Sequence, residues 1–461
     1  MRDLRDIDER LQQNPGNPEL LFARACILDQ LGRNDEARDA YIEVIKRNGS
    51  HVAALGNLGT LLYNAGYRSA ARLTYAEALK HDPSDLRSLA NLGNALLESG
   101  DLPEARQLYE RAIALDPAFS PAHQGLSHVL GRLGEHEAAE EHRQAGFAAM
   151  PVVVSAFRGA GAPVSVLLLC SAYRGNVPTD VPFDDRTFMV VKLFTDYYEA
   201  DLPLPPHDVI FNGIGDADLC EGSLLSAHAL LQAHGATAIN PPELVRETGR
   251  VQVAQRLRNI DGLIVPHIEA VGRDELARVE RYPVLVRAPG YHAGEFFELA
   301  RDRSELESVA AALPGERLLT IELLDARGAD GAYRKYRVLS IGGRLYPVHL
   351  ARSTHWKVHY FSADLARTPE AVAEEEAFLR NMRTAIGERA MRAIETAAQR
   401  IGLEYFGIDF GLDARGNVLF FEANATMRAV VPVRDDPNEA RRAAALAANA
   451  AIRELVLSKQ A

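Results

Sequence analysis

The 461-residue sequence is short of cysteine, of basic charge and of long apolar runs, and each shortage closes off a class of protein. Its three cysteines, Cys26, Cys170 and Cys220, are scattered and form no CxxC pair. Disulfide frameworks and zinc ribbons need closely spaced pairs, so these read as reduced, mostly buried thiols of a cytoplasmic protein. Lys plus Arg total 51 against 63 Asp plus Glu, for a net charge of -12. That balance excludes the basic stripe a nucleic-acid partner would need. The most apolar run, Val164 to Cys170, is far too short to span a bilayer, and the opening MRDLRDIDERL is too charged for a signal peptide. Neither a Cys/His metal spacing nor a Ser-His-Asp order is readable. What is present is an ordinary soluble composition, 47% hydrophobic and 25% charged, in a chain long enough for two or three domains.

The first third repeats itself. Gly32, Gly66, Gly100 and Gly134 are each 34 residues apart, and Ala37, Ala71, Ala105 and Ala139 keep the same step. Tyr41, Tyr75 and Tyr109 follow it too, until Arg143 breaks the series, while Pro83, Pro117 and Pro151 close three of the units. The glycine sits where a first helix turns into a second, the alanine lets the two approach, and the tyrosine fills the groove between neighbouring units. The stretch NLGTLLYNAGYRSAARLTYAEALKHDP at 57–83 resembles the tetratricopeptide-repeat (TPR) consensus. The resemblance implies an α-helical solenoid over 1–151, with repeats at 18–51, 52–85, 86–119 and 120–151 behind a leading helix at 3–15. The end units depart most, with Arg24 where the others hold Leu58, Leu92 and Leu126, and with Arg143 and Gly146 in the last. Two roles stay open. A concave groove could recruit a peptide or protein, with Asn57, Asn91 and Asn94 bonding an extended backbone, or the array could be a solubilising or homodimerising platform.

Residues 152–163, VVVSAFRGAGAP, lose helical periodicity and read as a linker. From 164 to 245 the pattern is a strand at 164–170, a helix around 186–199, a strand at 208–211, a helix at 218–234 and a strand at 236–239. Alternation of this kind predicts a small α/β lobe with a parallel, helix-flanked sheet.

The most informative stretch is YFGIDFGLDARGNVLFFEANATM at 405–427. Two strands joined at Asp413 to Asn417 set Asp409 against Glu422 and Asn424, and the last two, spaced i and i+2, face one side. Three oxygen donors at one end of a sheet suit a hard cation such as Mg²⁺; a polar turn bordering a buried hairpin is the plainer alternative. Upstream, AYRKYRVLSIGGRLYPVHLARSTHWKVHY at 332–360 predicts a hairpin turning at Gly342 and Gly343, dense in Arg334, Lys335, Arg337, His349, Arg352, His355 and Lys357. Such a run is either a solvated face or a basic face turned toward phosphate. Alternation puts Lys335 and Arg337 together.

With GLEYFGIDFG before it, the Asp…Glu-x-Asn pattern resembles the metal end of an ATP-grasp ligase of the glutathione synthetase and RimK-like group. The resemblance covers 164–450. It implies an α+β ATP-grasp domain at 246–461 after the small α/β lobe, with ATP and Mg²⁺ as cofactors. By position, Asp409, Glu422 and Asn424 would hold metal. Arg250 and Arg287 stand where relatives carry phosphate-binding lysines, and arginine offers a planar fork for the same oxygens. Gly290, His292 and Gly294 would form the glycine-rich flap. Glu322, Leu324 and Asp325 would hold adenine and ribose, and Lys335, Arg337 and Arg352 would serve the transferring phosphoryl group. The implied activity is carboxylate–amine ligation through an acyl phosphate, on a peptide or protein brought by the repeats. The rival is a TPR adaptor whose nucleotide-binding domain does no chemistry.

Overall fold

The structure, a computed structural model, describes residues 4–291, 294–358, 364–365, 368–432 and 438–460. The chain divides into two compact units, Met1–Pro151 with Arg158–Ala160, and Val152–Phe157 with Gly161–Ala461. Among the described residues no helix is long and apolar enough to cross a membrane.

The first unit is helical throughout. After Leu4–Gln13 come four pairs: Pro18–Gln30 with Asn34–Arg47, Val52–Asn64 with Arg68–His81, Leu86–Ser99 with Leu102–Leu115, and Ser120–Leu133 with His136–Phe147. Gly32, Gly66, Gly100 and Gly134 each take a positive φ, between 66 and 88°, in the turn inside a pair. A side chain there would be strained, which is why the 34-residue glycine series exists. Tyr41, Tyr75 and Tyr109 are buried. The Tyr109 ring lies so close to mid-helix Gly93 and Gly125 that a Cβ would approach it to 2.7 and 2.2 Å. The asparagines are partly committed already: Asn57 Nδ2 donates to the Tyr41 hydroxyl at 3.2 Å, and the Tyr109 hydroxyl donates to Asn94 Oδ1 at 2.7 Å.

Among the described residues the second unit holds three sheets. In the first, strands β1 (Val152–Val154), β2 (Val164–Cys170), β3 (Phe188–Phe194) and β4 (Val209–Asn212) lie in the order β1-β3-β2-β4. β2 runs parallel to β3 and β4, and β1 is an antiparallel edge. Three local readings need correction. Residues 188–194 are a strand, not part of a helix at 186–199: FMVVKLF is apolar and partly β-branched, and it pairs on both sides. Val152–Val154, inside the segment read as linker, pair with β3. Residues 236–239 make a single bridge, Ile239 to Phe211, and no strand.

Further along, β5 (Leu263–Ile264), β6 (Ile268–Gly272), β7 (Val284–Arg287), β8 (Phe297–Ala300) and β9 (Arg317–Glu322) are followed by β10 (Tyr333–Ile341), β11 (Arg344–Ser353), β12 (Tyr405–Leu412) and β13 (Val418–Asn424). They form a five-stranded sheet, β11-β10-β12-β13-β5, and a four-stranded one, β6-β9-β7-β8. The β10–β11 hairpin turns at Gly342 and Gly343 as expected. One apolar core joins the first sheet to the five-stranded sheet, from Val166 and Phe211 to Phe406 and Phe420. The four-stranded sheet has a smaller core of its own around Val286 and Leu318.

Buried Asn240 ties the α/β lobe to β12. Its Nδ2 donates to the Tyr405 carbonyl at 2.6 Å, and its Oδ1 accepts from the Tyr405 amide at 2.8 Å. Two buried backbone groups depend on it, so Asn240→Ala should destabilise the protein by about 2–4 kcal/mol in urea unfolding. In the first unit, Gly93→Ala should cost about 1–2 kcal/mol by pressing on Tyr109. Gly131→Ala, in a helix with open space around it, should instead gain about 0.5–1 kcal/mol. Equal responses at the two glycines would contradict the ring-packing account.

Candidate functional site

The site is a row of charges across three neighbouring strands. β10, β12 and β13 are antiparallel, with Arg337 opposite Asp409 and Asp409 opposite Glu422. A register shift just after Asp409 leaves Phe421 as the extra residue of β13, a bulge of the kind that re-aims side chains near sites. Asp409 has 0% exposure. Arg337 grips it as a fork, Nε to Oδ1 at 2.6 Å and Nη2 to Oδ2 at 2.7 Å, and Lys335 Nζ lies 3.2 Å from Oδ2. Glu422 Oε2 receives Arg250 Nη2 at 3.0 Å, while Arg250 Nη1 reaches Asp218 Oδ2 at 2.9 Å. Arg250 opens the helix Arg250–Arg256, and Asp218 stands on the loop after β4. That loop meets the end of β13 closely: a Cβ on Gly215 would lie 2.9 Å from the Thr426 amide nitrogen.

Both acids stay charged. Burial pushes the Asp409 carboxyl up, but Arg337 and Lys335 more than offset it and hold it below the usual range. Burial likewise raises Glu422 and Arg250 brings it below its ordinary value. Asn424 Oδ1 accepts from the Thr426 amide at 3.0 Å and hydroxyl at 2.7 Å. Two carboxylates and an amide oxygen on the neighbouring strands β12 and β13 are hard donors of the kind Mg²⁺ takes, with water and phosphate oxygens completing its shell.

Arg287, the last residue of β7, is the exception to this pairing. It is 7% exposed, and its Nη2 donates to the Tyr291 carbonyl. Its guanidinium carbon sits 5.4 Å from the Phe297 ring centre. Its Nε is buried without a hydrogen-bond partner, and among the described residues no carboxylate lies within ion-pair distance. Burial, then the neighbouring charge of Arg250, pull its pKa down to about 10.

The remaining candidates divide. Gly290 and Gly294 both have φ 79°, and a Cβ on Gly294 would meet Lys357 Cε at 2.9 Å. His292 lies outside the described residues. Glu322 accepts from the His267 amide at 3.0 Å, and Asp325 is paired with Arg327 at 2.5 Å. Glu322 is the last residue of β9, while Asp325 and half-buried Leu324 stand on the connection from β9 to β10. Arg352 is a correction. It pairs in register with Arg334, one step out of phase with Lys335 and Arg337, and so faces the other side of the sheet. There it bonds Asp330 at 2.7 Å and lies 3.4 Å from Glu374. Asp218 was missed, and His349, named in the basic run, was given no place beside Arg337. Asp218 had a signal in the acidic GIGDAD loop, since loops after parallel strands line binding crevices. His349 sits opposite Arg337 and is buried; burial and then Arg337 keep it neutral, well below its usual range. Only the cross-strand register reveals that placement.

Arg287→Met should raise unfolding stability in anion-free buffer by about 1–2 kcal/mol, because it removes a desolvated, uncompensated charge. The same change should abolish stabilisation by inorganic tripolyphosphate. Loss of stability in the variant would mean that Arg287 is a structural cation.

The tetratricopeptide repeat family matches residues 22–67 and 57–118, and a second tetratricopeptide repeat family matches 96–151. Among solved structures, MamA (41-end) from Desulfovibrio magneticus RS-1 is 26% identical, covering 30% of this chain and 78% of that one at a TM-score of 0.28. YrrB, described as a TPR protein with an unusual peptide-binding site, is 16% identical, covering 32% and 77% at a TM-score of 0.30. No curated protein matches the sequence. The N-terminal 150 or so residues are thus tetratricopeptide repeats, an architecture suited to protein partners, and a mixed α/β region with three sheets follows.

Proposed function

We propose that the second unit is an ATP-grasp ligase that joins a carboxylate to an amine at the expense of ATP, acting on a peptide or protein recruited by the repeats. The buried Arg287, whose Nε has no hydrogen-bond partner and which makes no direct ion pair among the described residues, is the observation that carries this reading. A protein gains nothing in stability from such a cation, whereas a polyphosphate would supply the missing charge. Across from it, Asp409, Glu422 and Asn424 offer the hard oxygens that magnesium needs. With ATP and magnesium bound, such a site supplies phosphorylation of a substrate carboxylate and then displacement of phosphate by an amine.

The chain's own residues divide the labour. Arg287 and Arg250 bind and orient phosphate oxygens. Lys335 and Arg337, on the strand face that carries Asp409, supply positive charge where the transferring group develops negative charge. Gly290 and Gly294 let backbone approach the phosphates, and the end of β9 at Glu322 with Leu324 and Asp325 just after it is the candidate adenine and ribose edge. Arg352 has no part in this scheme. The adaptor reading draws support from one observation: both metal carboxylates already carry cations, which is how a nucleotide-binding but inert site would also look.

Incubation of the full-length protein with ATP, Mg²⁺ and pooled acids and amines should release ADP. Glu422→Gln and Asn424→Ala should each lower that release roughly 10²–10³-fold while melting behaviour stays near wild type, as expected for groups that act on developing charge. ATP binding without ADP release by the wild-type protein would decide for the adaptor.

A further inference from the structure

We propose that Asp218 is a positioning residue that gives Arg250 a second seat, so that Arg250 can leave Glu422 when polyphosphate arrives and metal and phosphate enter this site only together. The proposal rests on the nucleotide reading of the cleft and adds how its charges are exchanged.

Each acid that would hold metal is covered. Glu422 carries Arg250, and Asp409 carries the Arg337 fork together with Lys335. A divalent cation arriving alone has to evict a guanidinium and leave it buried without a counter-charge, which is costly. A polyphosphate arriving alone finds Arg287 waiting, but Arg250, Lys335 and Arg337 are already balanced, and the nearby carboxylates repel it. Arriving together, the metal takes the carboxylates and the phosphates take the cations. Every group then trades one partner for another of the same sign, and none is left unpaired.

Arg250 is the group best built for that trade. Its side chain is 11% exposed, and its two terminal nitrogens hold different carboxylates at nearly equal distance, 2.9 Å to Asp218 and 3.0 Å to Glu422. Its own backbone amide also faces Asp218 Oδ2, at 3.4 Å. When Nη2 lets go of Glu422, Nη1 keeps its bond to Asp218, and the guanidinium stays beside the phosphate seat at Arg287.

The test is calorimetric titration of the full-length protein with MnCl2 alone, with sodium tripolyphosphate alone and with their equimolar mixture. The mixture should bind at least about tenfold tighter than either component, a coupling within the range found between linked sites. Arg250→Met should strengthen binding of MnCl2 alone and shrink that gap, because Glu422 is then uncovered. Asp218→Asn should widen the gap, because Arg250 then has Glu422 as its remaining carboxylate. A merely structural lesion would weaken all three titrations in parallel and overturn the proposal. Equal, tight binding of MnCl2 with and without tripolyphosphate would overturn it too while leaving the metal site standing. Failure of the wild-type protein to bind in all three titrations would remove the nucleotide reading along with it, and that comparison needs no variant to fold.

Discussion

A carboxylate with no exposure in the middle of a five-stranded sheet is the constraint on which the second unit is organised. Asp409 could not be buried there as an ion without close cations. Arg337 answers it from the directly opposed position on β10, and Lys335 from two residues away on the same face. The requirement fixes strand register. Slipping β10 by one residue would turn Tyr336 toward Asp409 and drive Arg337 into the layer where Tyr336 now stacks on Phe410 and meets Phe378 edge-on. Charge pairing on one face and aromatic packing on the other select the same alignment.

From that centre the charges pass outward. Glu422 on β13 extends the row, Arg250 covers it, and Asp218 brings in the loop that follows β4. The same lobe holds β12 a second time, through the paired hydrogen bonds of Asn240 to Tyr405. Arg287 comes from the four-stranded sheet and is left out of the balance. A buried cation without a direct ion pair among the described residues is a cost to folding that an anionic ligand would explain.

Much of this was legible in the sequence because it is written in periods. The 34-residue step of Gly32, Gly66, Gly100 and Gly134 gave the helix pairs, since each glycine is needed for a turn of positive φ. Period-two alternation gave the β12–β13 and β10–β11 hairpins and the shared face of Lys335 and Arg337. What was not legible depends on contacts far apart in the chain. FMVVKLF is a strand because β1 and β2 flank it, and its composition alone suits a helix as well. Arg352 looked like a member of the basic cluster until its pairing with Arg334 placed it on the opposite face. Asn240 acts on Tyr405, 165 residues away, and no local pattern marks it; the acidic loop marks Asp218, but its partner Arg250 lies 32 residues on.

The proposal is that Arg250, Arg287, Asp409 and Glu422 belong to a site that binds ATP with magnesium. Equilibrium dialysis of the full-length protein against radiolabelled ATP, with and without Mg²⁺, addresses it most directly. The account predicts one nucleotide bound per chain in the presence of Mg²⁺, displaced by tripolyphosphate but not by adenosine, because the phosphates carry the recognition. Absence of bound nucleotide at millimolar ATP and Mg²⁺, or displacement by adenosine alone, would contradict it.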